Sequence, residues 1–188
     1  MAIDIEVTRR RFTVDEYDRM VEVGILTKYD RVELIHGEIV QKMPIGSRHT
    51  AAVAALHALF VTRLGKRAVV RSAGSLRLPL DSAPEPDVVL LRWRDDFYRS
   101  VPTLADEVLL VIEVAETSLR YDRRVKVPLY AERGVREVWI VDVEGDCVEL
   151  YRGTTPDGYA RTDRIPRGTS FSPEAFPDVT LTVSDILG

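Results

Sequence analysis

The chain has 188 residues, 45% of them hydrophobic and 30% charged, with a formal net charge of −4 and a pI near 5.5. This length suits one buried core, so a single domain over residues 1–188 is expected, and the alternation of apolar and polar segments excludes a disordered chain. The acidic balance excludes a surface coated in phosphate-binding charge, yet leaves room for a local basic cleft.

No apolar run approaches the roughly 20 residues that cross a bilayer, and Asp4 and Glu6 stand where a signal peptide would be apolar, so a cytoplasmic protein is expected. The single cysteine, Cys147, forbids an internal disulfide and reads as a small strand residue. With three histidines beside it, the chain has no ligand set for a structural zinc.

In chain order, Thr13-Val14-Asp15-Glu16 has the capping-box pattern, which predicts a short helix closed near Gly24. Val32–Ile35 and Glu38–Val40 are apolar arms joined by His36-Gly37, a hairpin signature. After Pro44-Ile45-Gly46, Ser47 is placed to cap a long helix through Leu64. Short strands are expected around Ala68–Arg71, Leu76–Leu80 and Asp87–Leu91, then an arginine-rich and aromatic loop, Arg92–Asp106, and a strand ending near Glu113.

A second helix should run from Ser118 or Asp122 to Gly134, with Pro128 inside it kinking it or limiting its first turns. Arg136–Asp142 and Cys147–Tyr151 read as strands about a Glu144-Gly145-Asp146 turn, and the tail suggests one more strand or turn near Val179–Ile186. Runs apolar on both faces, Val108–Val114 and Val138–Val141, imply an α/β fold: a central mixed sheet flanked by helices.

Within those runs lie two carboxylates, Asp87 after Pro86 and Glu113 after Ile112. A charged carboxylate in an apolar strand costs several kcal/mol unless a partner or a metal compensates it. Two carboxylates and a lysine are the minimum for metal-assisted phosphodiester hydrolysis. Pro-Asp, a span of chain and Glu-x-Lys form the PD-(D/E)XK nuclease signature, but here Ala115 occupies the lysine position. Lys126, sharing a helix face with Asp122 and Tyr130, is the candidate replacement.

Val32–Ile39, Pro86–Val89, Val111–Val114, Tyr121–Ala131 and Gly134–Asp142, taken in series, resemble the Uma-two family of restriction-endonuclease-like proteins within that superfamily. The likeness spans about Phe12 to Leu187. It implies a restriction-endonuclease-like fold and a Mg²⁺-dependent endonuclease acting on DNA, with Mn²⁺ as a substitute ion. Asp87, Glu113 and the Val114 carbonyl would hold the metal, Lys126 would be a migrated catalytic lysine, and Glu33 a further acidic member. The turn residue His36 departs from the Asp or Asn more usual there.

His49 reads either as a phosphate or proton-handling group or as a packing histidine, and His57 as structural. Arg92–Arg99 reads as a nucleic-acid contact, a lid or a subunit contact. A homodimer is expected, since one small domain offers little cleft for a duplex. The alternative from another class is a catalytically silent nuclease fold that binds nucleic acid or protein. A carboxylate-pair glycosidase is disfavoured by the 7% aromatic content.

Overall fold

A computed structural model of the chain describes residues 8–72 and 74–188. Helix α1 (Val14–Glu22) starts at the expected capping box, with Thr13 and Glu16 each bonding the other's backbone N–H. Strands β1 (Val32–Ile35) and β2 (Glu38–Gln41) form the hairpin. Its turn residues His36 and Gly37 both adopt positive φ, 49° and 76°, as a two-residue turn between twisted strands requires.

Helix α2 (Ser47–Leu64) is capped one residue earlier than expected: Gly46 is the N-cap, and Ser47, the expected cap, is the first helical residue and makes no capping bond. The cap is supplied from across the fold, because the Glu116 carboxylate lies against Gly46 and accepts the His49 N–H at 3.4 Å. A Cβ at position 46 would meet that carboxylate, so a larger residue there would move the Glu116 side chain.

The central sheet holds β3 (Ala68–Ser72), β4 (Val88–Arg92), β5 (Val108–Ala115), β6 (Glu137–Asp142), β7 (Cys147–Thr155) and β8 (Gly158–Pro166), in that order. Only β5 and β6 are parallel, joined by a crossover of α3 (Leu119–Tyr121), a π-helical turn (Asp122–Lys126) and α4 (Val127–Glu132). Alternation divides β5 between two cores. Leu110, Ile112 and Val114 pack with Trp139 under α2 and the C-terminal segment, whereas Val111 and Ala115 pack with Ile140, Leu129 and Tyr130 under α4. Trp139 is fully buried, edge-on to Phe171 at 5.0 Å, and its loss would cost about 3–5 kcal/mol. The expected mixed sheet between helical layers is the fold observed.

One local expectation gives way, and two stretches gain structure beyond the sequence reading. Leu76–Leu80 is not a strand: Leu76 and Leu78 are buried, but Leu78 only bridges Ser82 across a tight turn. Strand β8 lies in a stretch the pattern left unassigned, because an edge strand paired on one side needs few apolar residues. The tail forms β9 (Ser170–Phe171) with β10 (Leu181–Thr182), then α5 (Val183–Leu187), whose capping box is Thr182 and Asp185. Among the described residues no helix is long and apolar enough to cross a membrane.

Candidate active site

Antiparallel pairing of β4 with β5 sets Val88 opposite Ile112, so Asp87, just before β4, arrives beside the end of β5. Its Oδ2 accepts the Val114 N–H at 2.7 Å, and His49 Nε2, in the first turn of α2, lies 3.1 Å from Oδ1. The next residue back along β5, Glu113, points, unlike Val114 and like Asp87, to the face under the crossover.

There Lys126 Nζ donates to Glu113 Oε1 and Oε2 at 3.1 and 3.2 Å, and the Tyr130 hydroxyl donates to Oε1 at 2.6 Å. Glu33, from β1, comes within 3.3 Å of the same ammonium. Its carboxylate also accepts the Tyr121 hydroxyl at 3.3 Å and the Glu85 N–H at 3.0 Å. Asp122 completes the group, buried and bonded by the Ser118 hydroxyl at 2.6 Å.

The helix that delivers Lys126 is not simply kinked at Pro128. The chain widens into a π turn over Asp122–Lys126, directly before the proline at the second position of α4. Proline has no N–H to return to the preceding turn, and an insertion of this kind absorbs the mismatch. Asp122, Lys126 and Tyr130 still share the inward face, all three buried.

Glu113 and Glu33 thus pair directly with the Lys126 ammonium, while Asp87 and Asp122 line the same cleft and add their negative charge to it. Burial, with the neighbouring acids adding to it, outweighs Lys126 and raises Glu113 to about 8. Burial likewise lifts Asp122 to about 6. For Lys126 burial works against the charge, but Glu113, Glu33, Asp122 and Asp87 together hold it above its usual range, so it stays protonated. The Asp87 hydrogen bond raises His49, whose Nδ1 is buried without a partner.

These groups floor a cleft of about 130 Å³, walled by Met43, Pro44 and Ile45 on one side and Thr117, Ser118 and Tyr121 on the other. Asp87 opens to it with 21% of its side chain exposed, while Glu113 and Lys126 lie deeper, at 3% and 5%. A carboxylate donor set of this kind suits a hard divalent cation such as Mg²⁺ or Mn²⁺. Both Asp87 oxygens keep a lone pair beyond their one bond, and Glu113 Oε2 accepts only from Lys126. The unbalanced charge and the free oxygen lone pairs fit such an ion.

Among the sequence candidates, Asp87, Glu113, Glu33 and Lys126 converge, and Val114 meets them through its N–H. Sequence reasoning passed over Glu85, Glu116, Tyr121 and the cleft-wall residues, which lie in polar or mixed stretches without periodicity. His57 is structural, bonded to Ser72 Oγ at 2.8 Å. The Arg92–Arg99 loop follows the C-terminal end of β4, whereas Asp87 precedes its start. At ~3.3 Å per residue, roughly 16 Å of strand separates loop from cleft, and none of Arg92–Arg99 lines the cleft.

A second acidic group, Asp142, Cys147 and Glu149, has donor atoms within 4.8 Å of one another. Its capacity is already taken. Arg123 grips Glu149 through Nε and Nη2, the Tyr151 hydroxyl adds a bond at 2.7 Å, Gly145 N–H meets Asp142, and Arg164 Nε lies 3.1 Å from Cys147 Sγ. Two guanidinium groups stand where a cation would, so this is a charge-balanced structural network.

The sequence matches a family model, Uma2, described as "Putative restriction endonuclease", over residues 14–184. A solved structure, "Crystal structure of a putative nuclease belonging to DUF820 from Anabaena variabilis ATCC 29413", superposes with a TM-score of 0.74 at 16% identity, covering 94% of this chain and 97% of that one. At that identity the likeness speaks for the fold. No curated protein matches the sequence.

Proposed function

Because the chain belongs to the Uma2 family of restriction-endonuclease-like proteins, we propose that it is a divalent-cation-dependent endonuclease that hydrolyses phosphodiester bonds in DNA. The observation that carries this reading is the buried ammonium of Lys126, paired with Glu113 and Glu33 at the floor of an open cleft that Asp87 and Asp122 also line. Asp87 and Glu113, with the Val114 carbonyl, are the groups that would hold Mg²⁺ or Mn²⁺. When bound, the ion supplies Lewis acidity toward the phosphoryl oxygen and lowers the pKa of water.

The chain's own residues do the rest. Lys126 sets a permanent positive charge at the cleft floor, where negative charge builds on the phosphoryl oxygens in the transition state. Its ion pairs to Glu113 and Glu33, with the Tyr130 and Tyr121 hydroxyl bonds, hold both carboxylates in one orientation. The bonds from His49 and the Val114 N–H fix the Asp87 carboxylate the same way. Exposed Arg120 and Arg124, beside cleft-lining Tyr121 and Asp122, are suited to neighbouring phosphates.

With a net charge of −4, binding to a duplex is weak and sensitive to salt. The active form in this reading is a homodimer, the commonest closed assembly. Light scattering at micromolar concentration gives twice the 21.2 kDa chain mass if so, and the chain mass alone if not.

Supercoiled plasmid incubated with Mg²⁺ or Mn²⁺ tests the activity. Nicking by the wild type that is lost in Glu113→Gln and Lys126→Ala is the expected result, and nicking indifferent to both overturns the mechanism. One observation favours a non-cutting binding module: both Glu113 oxygens accept from Lys126, and Oε1 accepts from Tyr130 as well. An absence of nicking in all three proteins would select that reading.

A further inference from the structure

One wall of the cleft does not suit the polar chemistry of its floor. Met43 and Ile45 are large apolar side chains left 51% and 56% exposed, and with Val40 and Pro44 they form a lip beside Asp87 and Glu113. Exposed apolar residues scattered singly need no explanation, but a contiguous pair at the mouth of a charged cleft marks a place for an apolar group.

The lip is also fixed in place. Lys42 N–H donates to the Arg31 carbonyl at 2.8 Å, and the Arg31 guanidinium donates to the Met43 carbonyl at 3.0 Å. Pro44 restricts the middle of the segment, and Gly46 ends it against Glu116. Lys42 Nζ pairs with Glu85 at 2.8 Å, and Glu85 N–H donates to Glu33, which pairs with Lys126. The apolar lip and the acidic nest are therefore joined by one run of bonds, and a group seated on the lip would be held in register with the floor.

Resting on the nuclease reading, we infer that the Met43–Ile45 lip seats an unpaired nucleobase adjoining the scissile phosphate, so that the substrate class is single-stranded or locally unpaired nucleic acid. A paired duplex turns its sugar–phosphate backbone outward and keeps its bases stacked within, so it would set charged phosphates against Met43 and Ile45. An unpaired strand offers a base face beside each phosphate, and apolar and thioether side chains pack well on such a face.

Cleavage of one labelled DNA strand, presented alone, in a perfect duplex and in a duplex with an internal mismatched tract, tests this with Mn²⁺ present. The wild type should favour the single strand and the mismatched tract over the duplex by roughly tenfold or more in kcat/KM, the scale of one base-stacking contact. The double substitution Met43→Ser, Ile45→Ser, at exposed positions, should lose that preference while Mn²⁺ binding by calorimetry is unchanged. Equal cleavage of duplex and single strand, or a variant that keeps the preference, overturns the seat and leaves the nuclease reading standing. A protein that binds Mn²⁺ but cuts none of the three overturns both.

Discussion

Lys126 Nζ lies 3.1 and 3.2 Å from the two oxygens of Glu113, a buried pair that joins the crossover helix to the middle of the sheet. Neither group is stable alone in that setting, since each is almost wholly removed from water and the carboxylates around them exceed the positive charge.

Replacing Lys126 by Met removes the ammonium paired with Glu33 and Glu113 and should destabilise the protein by about 3–5 kcal/mol. Adding Glu113→Gln should return part of that loss, because the double variant buries one charge fewer. Guanidinium denaturation of the two single variants and the double checks this. Additive losses would mean that the pair does not act as a unit.

The pH dependence has a definite sign. In the unfolded chain these acids titrate near about 4, whereas burial raises Asp122 to about 6 and Glu113 to about 8 in the fold. Between those values the native state binds more protons than the unfolded state, so their contribution to stability is full below about pH 4 and is lost as pH rises to about 8. Lys126, held above its usual range, remains charged across the window. Metal-free protein should therefore lose thermal stability from pH 5 to 8, and Mg²⁺ should stabilise it more at pH 8 than at pH 5. Stability that rises with pH in chelator would contradict this.

Cys147→Ser should leave divalent-cation binding unchanged and alter stability by no more than about 1 kcal/mol. Arg123 and Arg164 already occupy the Asp142–Cys147–Glu149 group. Loss of a bound ion in this variant would instead make that network a metal centre.

Much of the site was legible because burying charge is costly. Asp87 and Glu113 stand out as acids in strands that are otherwise apolar, and Lys126 follows from its spacing to Asp122 and Tyr130. The π turn is invisible to such reasoning, since Pro128 predicts an irregularity but not its kind. Glu33 came from family likeness, because its place beside Lys126 depends on how the β1–β2 hairpin docks, a contact between segments 93 residues apart. Glu116 capping α2 and the lip at Met43–Ile45 are also products of tertiary packing, with no periodic signal in their own stretches. Strand β8 was missed for the opposite reason: backbone pairing to β7 makes it a strand, although most of its side chains face solvent.

The central claim is that the carboxylates about Lys126 exist to hold a divalent cation, and calorimetric titration of Mn²⁺ into the wild type and Asp87→Asn tests it most directly. Asp87 is the most exposed of the named ligands, so the variant should remain folded. The account predicts saturable binding in the wild type, weakened at least about tenfold by the substitution. Wild-type protein that binds no Mn²⁺, or an Asp87→Asn variant that binds it equally well, would contradict the account.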